Sequence, residues 1–214
     1  MKSLNIIILF LLFFQCLGQT TKSKMEKEKA IKLTNQATEK LILSGIIPKE
    51  RLEMEFQKAY KEFFELINQA LYYDSTSTYA LYWKGKVELQ NNLFKESLET
   101  LEKYSKIKTY DYNDDQYLSV NKTLFLLKKK LKMKNFEDNL NIIGQISTDR
   151  IVANSKNSEN LTLKLTYLLY SEKNDEAISF VKKEKEYLGN ESYFLEIITN
   201  FKIENIINNI KEQI

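Results

Sequence analysis

Histidine is absent from this 214-residue chain, and cysteine occurs once, at Cys16. The chain therefore has no Ser–His or Cys–His nucleophile system and no usual zinc ligand set. Glycine occurs five times and proline once, at Pro48, against ordinary usage of about 7% and about 5%. That scarcity argues against Gly-rich phosphate loops and turn-dense β architectures. Arginine is confined to Arg51 and Arg150, so bidentate phosphate grips are nearly absent. The 32 Lys and Arg against 29 Asp and Glu leave a net charge of +3, too even for a dedicated nucleic-acid binder. What remains is 43% hydrophobic and 29% charged. Its length suits one domain, or two very small ones, at roughly 100–200 residues each. A chain of this size buries about 70% of its unfolded surface, enough for a core without metal or disulfide staples. These counts bear on architecture and address; they name neither partner nor substrate.

The address is at the N-terminus. Lys2 is followed by an uninterrupted apolar run from Ile6 to Phe14, then Gln15-Cys16-Leu17-Gly18. The run is about half of the roughly 20 residues that a membrane-spanning helix needs, and it suits the core of a secretory signal peptide. Cys16 and Gly18 are small residues at the spacing a signal peptidase reads, which predicts a signal peptide over 1–18 and a mature chain over 19–214. A cysteine just after such a run is also the acylated residue of bacterial lipoproteins. Gln15 and Phe13, however, stand where that signal has a small residue and usually Leu. Cleavage after Gly18 is the favoured reading, and acylation of Cys16 the alternative. If Cys16 leaves with the leader, the mature chain has no thiol and is held by packing alone. The expected location is a bacterial periplasm or the cell exterior, with an outer-membrane lipoprotein as the alternative.

The mature chain reads as helix throughout, because Lys, Leu and Glu dominate and apolar residues recur at three and four. A first helix is expected over about 22–44, marked by Ile31, Ala37, Leu41 and Ile42 and stopped by Gly45-Ile46-Ile47-Pro48. A second, over about 49–73, carries Leu52, Phe56, Ala59, Phe63, Ile67, Ala70 and Leu71 on one face. After the break at Asp74-Ser75-Thr76-Ser77 come a helix through Val87, a turn at Gln90-Asn91-Asn92 and a helix through Tyr104. Further helices are expected from Asn113 to Met133, from Asn135 to about Ile146, around Leu161–Leu169, and from Asn174 to Gly189. Thr148 to Ser155 reads as a connector. The apolar tail from Tyr193 to Ile214 reads as a capping helix.

An internal repeat emerges when helix entries are aligned. Tyr60-Lys61-Glu62-Phe63-Phe64 lies over Phe94-Lys95-Glu96-Ser97-Leu98, Phe136-Glu137-Asp138-Asn139-Leu140 and Asn174-Asp175-Glu176-Ala177-Ile178. The first two entries are 34 residues apart, the later ones somewhat further. A helix–turn–helix unit at this period signals a solenoid.

In these residues the chain resembles the tetratricopeptide repeat family. Ala70-Leu71-Tyr72-Tyr73-Asp74-Ser75 is similar to that family's Ala-Leu…Asp-Pro exit, with Ser75 in place of Pro. Gly85 matches its first-helix glycine, Phe94 its second-helix aromatic and Leu101 its large apolar residue. Ser97 stands for the small Ala that Ala177 restores in the last unit. Leu81 replaces the usual Trp, and Asn139 and Phe63 occupy places meant for Ala. The resemblance spans roughly Leu52 to Leu188. It implies an all-α, right-handed helical-hairpin solenoid of about eight to ten helices, in three or four hairpins with a C-terminal cap. It also implies protein or peptide binding on the face of the first helices, with no catalytic residues, cofactor or metal. That step from fold to function is analogy.

Three side-chain groups are candidates for chemistry. Asp111, Asp114 and Asp115 could serve a cation or acid–base work, yet no calcium-loop order or nearby Gly is present. Acidic residues also favour a helix N-terminus by themselves. Lys128-Lys129-Lys130 with Lys132 and Lys134 forms a basic cluster, read as a solvated helix face, with anionic membrane or polysaccharide contact as the rival. Tyr72, Tyr73, Tyr79, Tyr82 and Trp83 cluster around one junction. Tyr82 and Trp83 are consecutive and cannot face inward equally, so Tyr79, Tyr82 and Trp83 are the candidate partner-binding residues. The glycosylation-type triplets at Asn121, Asn160 and Asn190 carry little weight in so Asn-, Ser- and Thr-rich a chain. The alternative function is a lipid-anchored envelope assembly factor with Cys16 acylated, and a carboxylate-only hydrolase is the remoter, catalytic one.

Overall fold

The computed structural model describes residues 23–42 and 52–210. The expected leader, Cys16 and the Gly45–Pro48 stop lie outside the described residues. Among the described residues there are ten helices and no strand. They are α1 (23–42), α2 (Leu52–Tyr73), α3 (Thr78–Gln90), α4 (Phe94–Ile107), α5 (Asp115–Lys130), α6 (Phe136–Ala153), α7 (Ser158–Tyr170), α8 (Asn174–Leu188), α9 (Glu191–Asn200) and α10 (Ile203–Asn208). The chain divides into two compact units, one ending at Lys84 and the other beginning at Gly85, within α3.

In the first unit, α1 buries Ala30, Thr34, Ala37 and Thr38, while Ile31 and Ile42 are exposed. The inward stripe is thus made of small residues, not of the large apolar ones that mark the helix in the sequence. Thr34 is accommodated because its hydroxyl donates to Ala30 O (2.8 Å), which satisfies a polar group inside an apolar seam. α2 presents Ala59, Phe63, Ile67 and Ala70 to the interior, at the expected helical spacing. The break after α2 is held by Asp74, whose carboxylate accepts from the Thr76 amide (3.0 Å) and hydroxyl (2.7 Å). Ser77 then opens α3 by accepting from Ala80 N (3.4 Å).

In the second unit successive helices pack on their sequence neighbours from α4 to α9, and α10 returns to α5. Of the aligned entries, Tyr60 lies inside the unbroken α2 and opens no helix, whereas Phe94, Phe136 and Asn174 are the first residues of α4, α6 and α8. Before each of these helices the preceding one closes with the same device. Asn92, Lys132 and Glu172 adopt left-handed backbone (φ 61°, 54° and 59°). Each is followed by an amide bonded five residues back: Leu93 to Glu88, Met133 to Lys128 and Lys173 to Leu168, all at 2.9 Å. This is a Schellman closure. The three left-handed residues are evenly spaced, 40 apart, so the turns into α4, α6 and α8 recur at a fixed interval, longer than the 34 residues between the first two aligned sequence entries.

Three expected boundaries shift. Residues 148–153 belong to α6, which runs unbroken to Ala153. Ser147, Thr148 and Asp149 look like capping residues, but Ser147 is buried. Thr148 bonds back to Gly144 O (2.9 Å), and Asp149 accepts from Gln145 (2.8 Å) one turn earlier and from the Tyr110 hydroxyl, so neither is free to cap a new helix. α5 stops at Lys130, before Met133. The tail forms two short helices, α9 and α10, instead of one.

Glycine sets two close approaches. A Cβ on Gly85 would overlap the Leu101 side chain of α4, and one on Gly144 would lie 2.6 Å from a ring carbon of Tyr167 in α7. Rings then run through the unit's centre: Phe136 meets Phe125 edge-on (6.0 Å), Phe125 stacks on Tyr170 (5.2 Å), and Tyr170 approaches Phe201 (6.4 Å). Around them Leu161, Leu165, Leu168, Val181 and Ile198 form a continuous apolar cluster.

Candidate functional site

α3 holds the three aromatics singled out in the sequence. Its inward positions in the first unit are taken by Ala80 and Leu81, both buried. Tyr79, Tyr82 and Trp83 are left half-buried. Tyr82 and Trp83 meet edge to face at 5.6 Å. The Trp83 indole N–H is shielded from solvent and finds no acceptor among the described residues, an unmet donor of the kind that costs free energy when buried. Nearby in sequence Tyr72 is 84% exposed, and Tyr73 is pinned by Lys29, whose ammonium donates to its hydroxyl (2.7 Å) and lies 4.0 Å over its ring.

The lysine cluster divides. Lys128 is buried and pairs with Glu102 (3.3 Å) while donating to Asn139 Oδ1 (2.9 Å). Asn139 in turn donates to Asn121 Oδ1 (2.9 Å), and Asn121 to Tyr117 O (2.9 Å). A fully connected polar chain therefore ties α4, α5 and α6 together in their interior. Lys129 pairs with Glu172 (2.8 Å) beside the Phe125 and Phe136 rings. Lys130 donates to Ile207 O (3.1 Å), joining α5 to α10, and sits 4.8 Å from the Phe94 ring centre. Lys128, Lys129 and Lys130 thus serve internal contacts and do not form a solvated face; Lys132 and Lys134 remain exposed.

The acidic group is equally occupied. Asp111 takes the Asn113 amide (2.9 Å). Asp114 caps α5 through Tyr117 N (3.0 Å) and pairs with Lys108 at 2.6 Å. Burial opposes ionisation of Asp114, but Lys108 and the helix amides outweigh it and hold the carboxyl below its usual range. Asp115 pairs with Arg150 (2.8 Å), whose Nε also donates to Tyr112 O. Among the described residues no group of three or more acidic or sulfur ligands is arranged to hold a metal. Of the glycosylation-type asparagines, Asn121 is fully buried in the polar chain and Asn160 is engaged by Arg150 O and Asn154 O. Asn190 caps α9.

Sequence reasoning missed a cavity of about 430 Å³ in the second unit, walled by α5, α7, α9 and α10. Its polar residues are Ser119, Lys122, Thr123 and Thr166, and no carboxylate is among its described lining residues. Lys86 of α3 reaches Ser119 Oγ at 3.4 Å, and burial lowers its pKa to about 8. The tail's apolar periodicity was visible, but nothing in it announced that α10 turns back onto α5. No candidate membrane span occurs among the described helices. Compared with family models, curated proteins and solved structures, the chain matches none of them.

Proposed function

We propose that this chain is an exported, non-catalytic helical-hairpin scaffold of tetratricopeptide-like design that binds a protein or peptide partner. The observation that carries the reading is on α3. In its first half Ala80 and Leu81 are buried, while three large aromatics, Tyr79, Tyr82 and Trp83, stay partly exposed beside them. Large aromatics held rigid at a surface supply contact area at little entropic cost, which is why Tyr and Trp dominate interface hot spots. The turns at Asn92, Lys132 and Glu172 recur every 40 residues, which supports a helical-hairpin repeat, though one longer than the tetratricopeptide unit of about 34 residues. The partner acts in a bacterial envelope or outside the cell. Anchoring through an acylated Cys16 is the alternative mode of attachment.

The test is crosslinking of the tagged chain in its own host, beside a Tyr82→Ala/Trp83→Ala variant of unchanged helicity. A specific partner captured by the parent, lost in the variant and rebound by the purified parent is the expected result. The absence of any specific partner contradicts the scaffold reading. Intact mass of the purified protein distinguishes a chain beginning after Gly18 from one beginning at an acylated Cys16.

A further inference from the structure

The cavity of the second unit has a polarity that neither wall has by accident. Along α5 its lining passes from Ser119, Lys122 and Thr123 to Leu126, and along α7 from Thr166 to Leu169 and Tyr170. Short turns reverse the chain between α5 and α6 and again between α6 and α7. α5 and α7 therefore run in the same sense, and their polar residues fall toward one end of the space. Ile197 of α9, Ile206 of α10 and Ile210 just past α10 close the other side, next to Phe201. At about 430 Å³ the space falls within the roughly 300–1,000 Å³ of small-molecule sites.

The polar end carries an excess of positive charge. Lys122 has no ion pair among the described residues, and the charges it feels are Arg150 and Asp115, which already pair with each other. Burial, then repulsion from Arg150, lowers its pKa, as expected of an ammonium without its own counter-charge. An anionic group from outside supplies that charge, and an apolar chain fills the rest.

We propose that this cavity holds a single-chain amphiphile with an anionic head, of the long-chain carboxylate class. Its head sits on Lys122, and its chain lies among Leu126, Ile197, Phe201 and Ile206. The proposal is independent of the partner reading at Tyr79, Tyr82 and Trp83. A peptide is disfavoured because the walls offer one cation at one end and otherwise hydroxyl and hydrocarbon.

The experiment is calorimetric titration of the full chain with dodecanoate below its micelle concentration. Dodecanol and a short Glu-Leu-Leu peptide serve as comparison ligands. Lys122→Gln and Thr166→Trp, the second filling the cavity from a half-exposed position, are titrated alongside after a check of helicity. Saturable one-to-one binding of dodecanoate is expected. It should weaken about tenfold to a hundredfold in Lys122→Gln, the range of a lost charge-assisted contact, and disappear in Thr166→Trp. Dodecanol binding should not change in Lys122→Gln. No saturable dodecanoate binding, binding indifferent to both substitutions, or binding of the peptide alone would overturn the proposal.

Discussion

Ser97 donates its hydroxyl to the carbonyl oxygen of Gly85 at 2.8 Å, across the α3–α4 hairpin. Ser97 is fully buried, and one turn further along α4 Leu101 lies where a Cβ on Gly85 would be. Two small residues thus let two helices approach, and one of them also binds a helix carbonyl of the other. Gly85→Ala is expected to destabilise by about 1–3 kcal/mol, the range for overpacking, despite the gain in helix propensity of about 1 kcal/mol. Urea unfolding measures it. In a Gly85→Ala/Leu101→Ala double variant the cost should be less than additive, since the overlap is removed; strict additivity would deny the contact.

The place that the family resemblance reserves for Ala is held by Asn139, and there the local consensus is the wrong guide. Asn139→Ala leaves Asn121 Oδ1 without its donor and takes from Lys128 its Asn139 acceptor, both in a buried setting. A loss of about 1–3 kcal/mol is expected. A neutral or stabilising effect in urea or thermal melts would mean that the polar chain between α4, α5 and α6 contributes nothing.

Lys132 carries a left-handed backbone that L-residues adopt at a cost of roughly 1–2 kcal/mol. Lys132→Gly is therefore expected to stabilise by about 0.5–1 kcal/mol once the extra freedom of glycine in the unfolded chain is counted. Lys132→Val should destabilise. Glu172 shares the same geometry but pairs with Lys129, so its replacement by glycine should gain less.

Lys86 should shape the alkaline side of the stability profile. Its pKa falls from 10.5 unfolded to about 8 folded, because burial disfavours the ammonium. Between those values the unfolded chain binds more protons, so stability should rise with pH from about 8 upward. Tyr170, pushed up to about 12 by burial, works against the rise above the usual tyrosine value of 10.0. Comparing the parent with Lys86→Met isolates the effect: the parent's urea midpoint should climb more steeply over that window. Parallel curves would contradict it.

Much of the helical order was legible in the sequence. Phe94, Phe136 and Asn174 each open a helix where the alignment put them, because an aromatic or Asn before Lys-Glu or an acidic pair follows a polar turn. The 40-residue spacing of the turns was not legible. Asn92, Lys132 and Glu172 share a conformation but no chemistry, and none is the glycine that usually marks it. The run of α6 through Thr148 was hidden because Thr and Asp bond to their own helix, as Thr148 and Asp149 do, as readily as they cap the next. Lys128 looked like a surface charge because no spacing rule pairs it with Glu102 or Asn139, which lie on two other helices. Of the candidate site, the sequence named Tyr79, Tyr82 and Trp83, but the cavity depends on a long-range return of α10 to α5 that local pattern does not encode.

The central claim is that a partner meets the chain at α3, and a photo-reactive amino acid at position 82 tests it most directly. Introduced in the native host, it should form an adduct with one protein that the same group at Val152, 82% exposed on α6, does not form. No adduct from position 82, or the same set of adducts from both positions, would contradict the account.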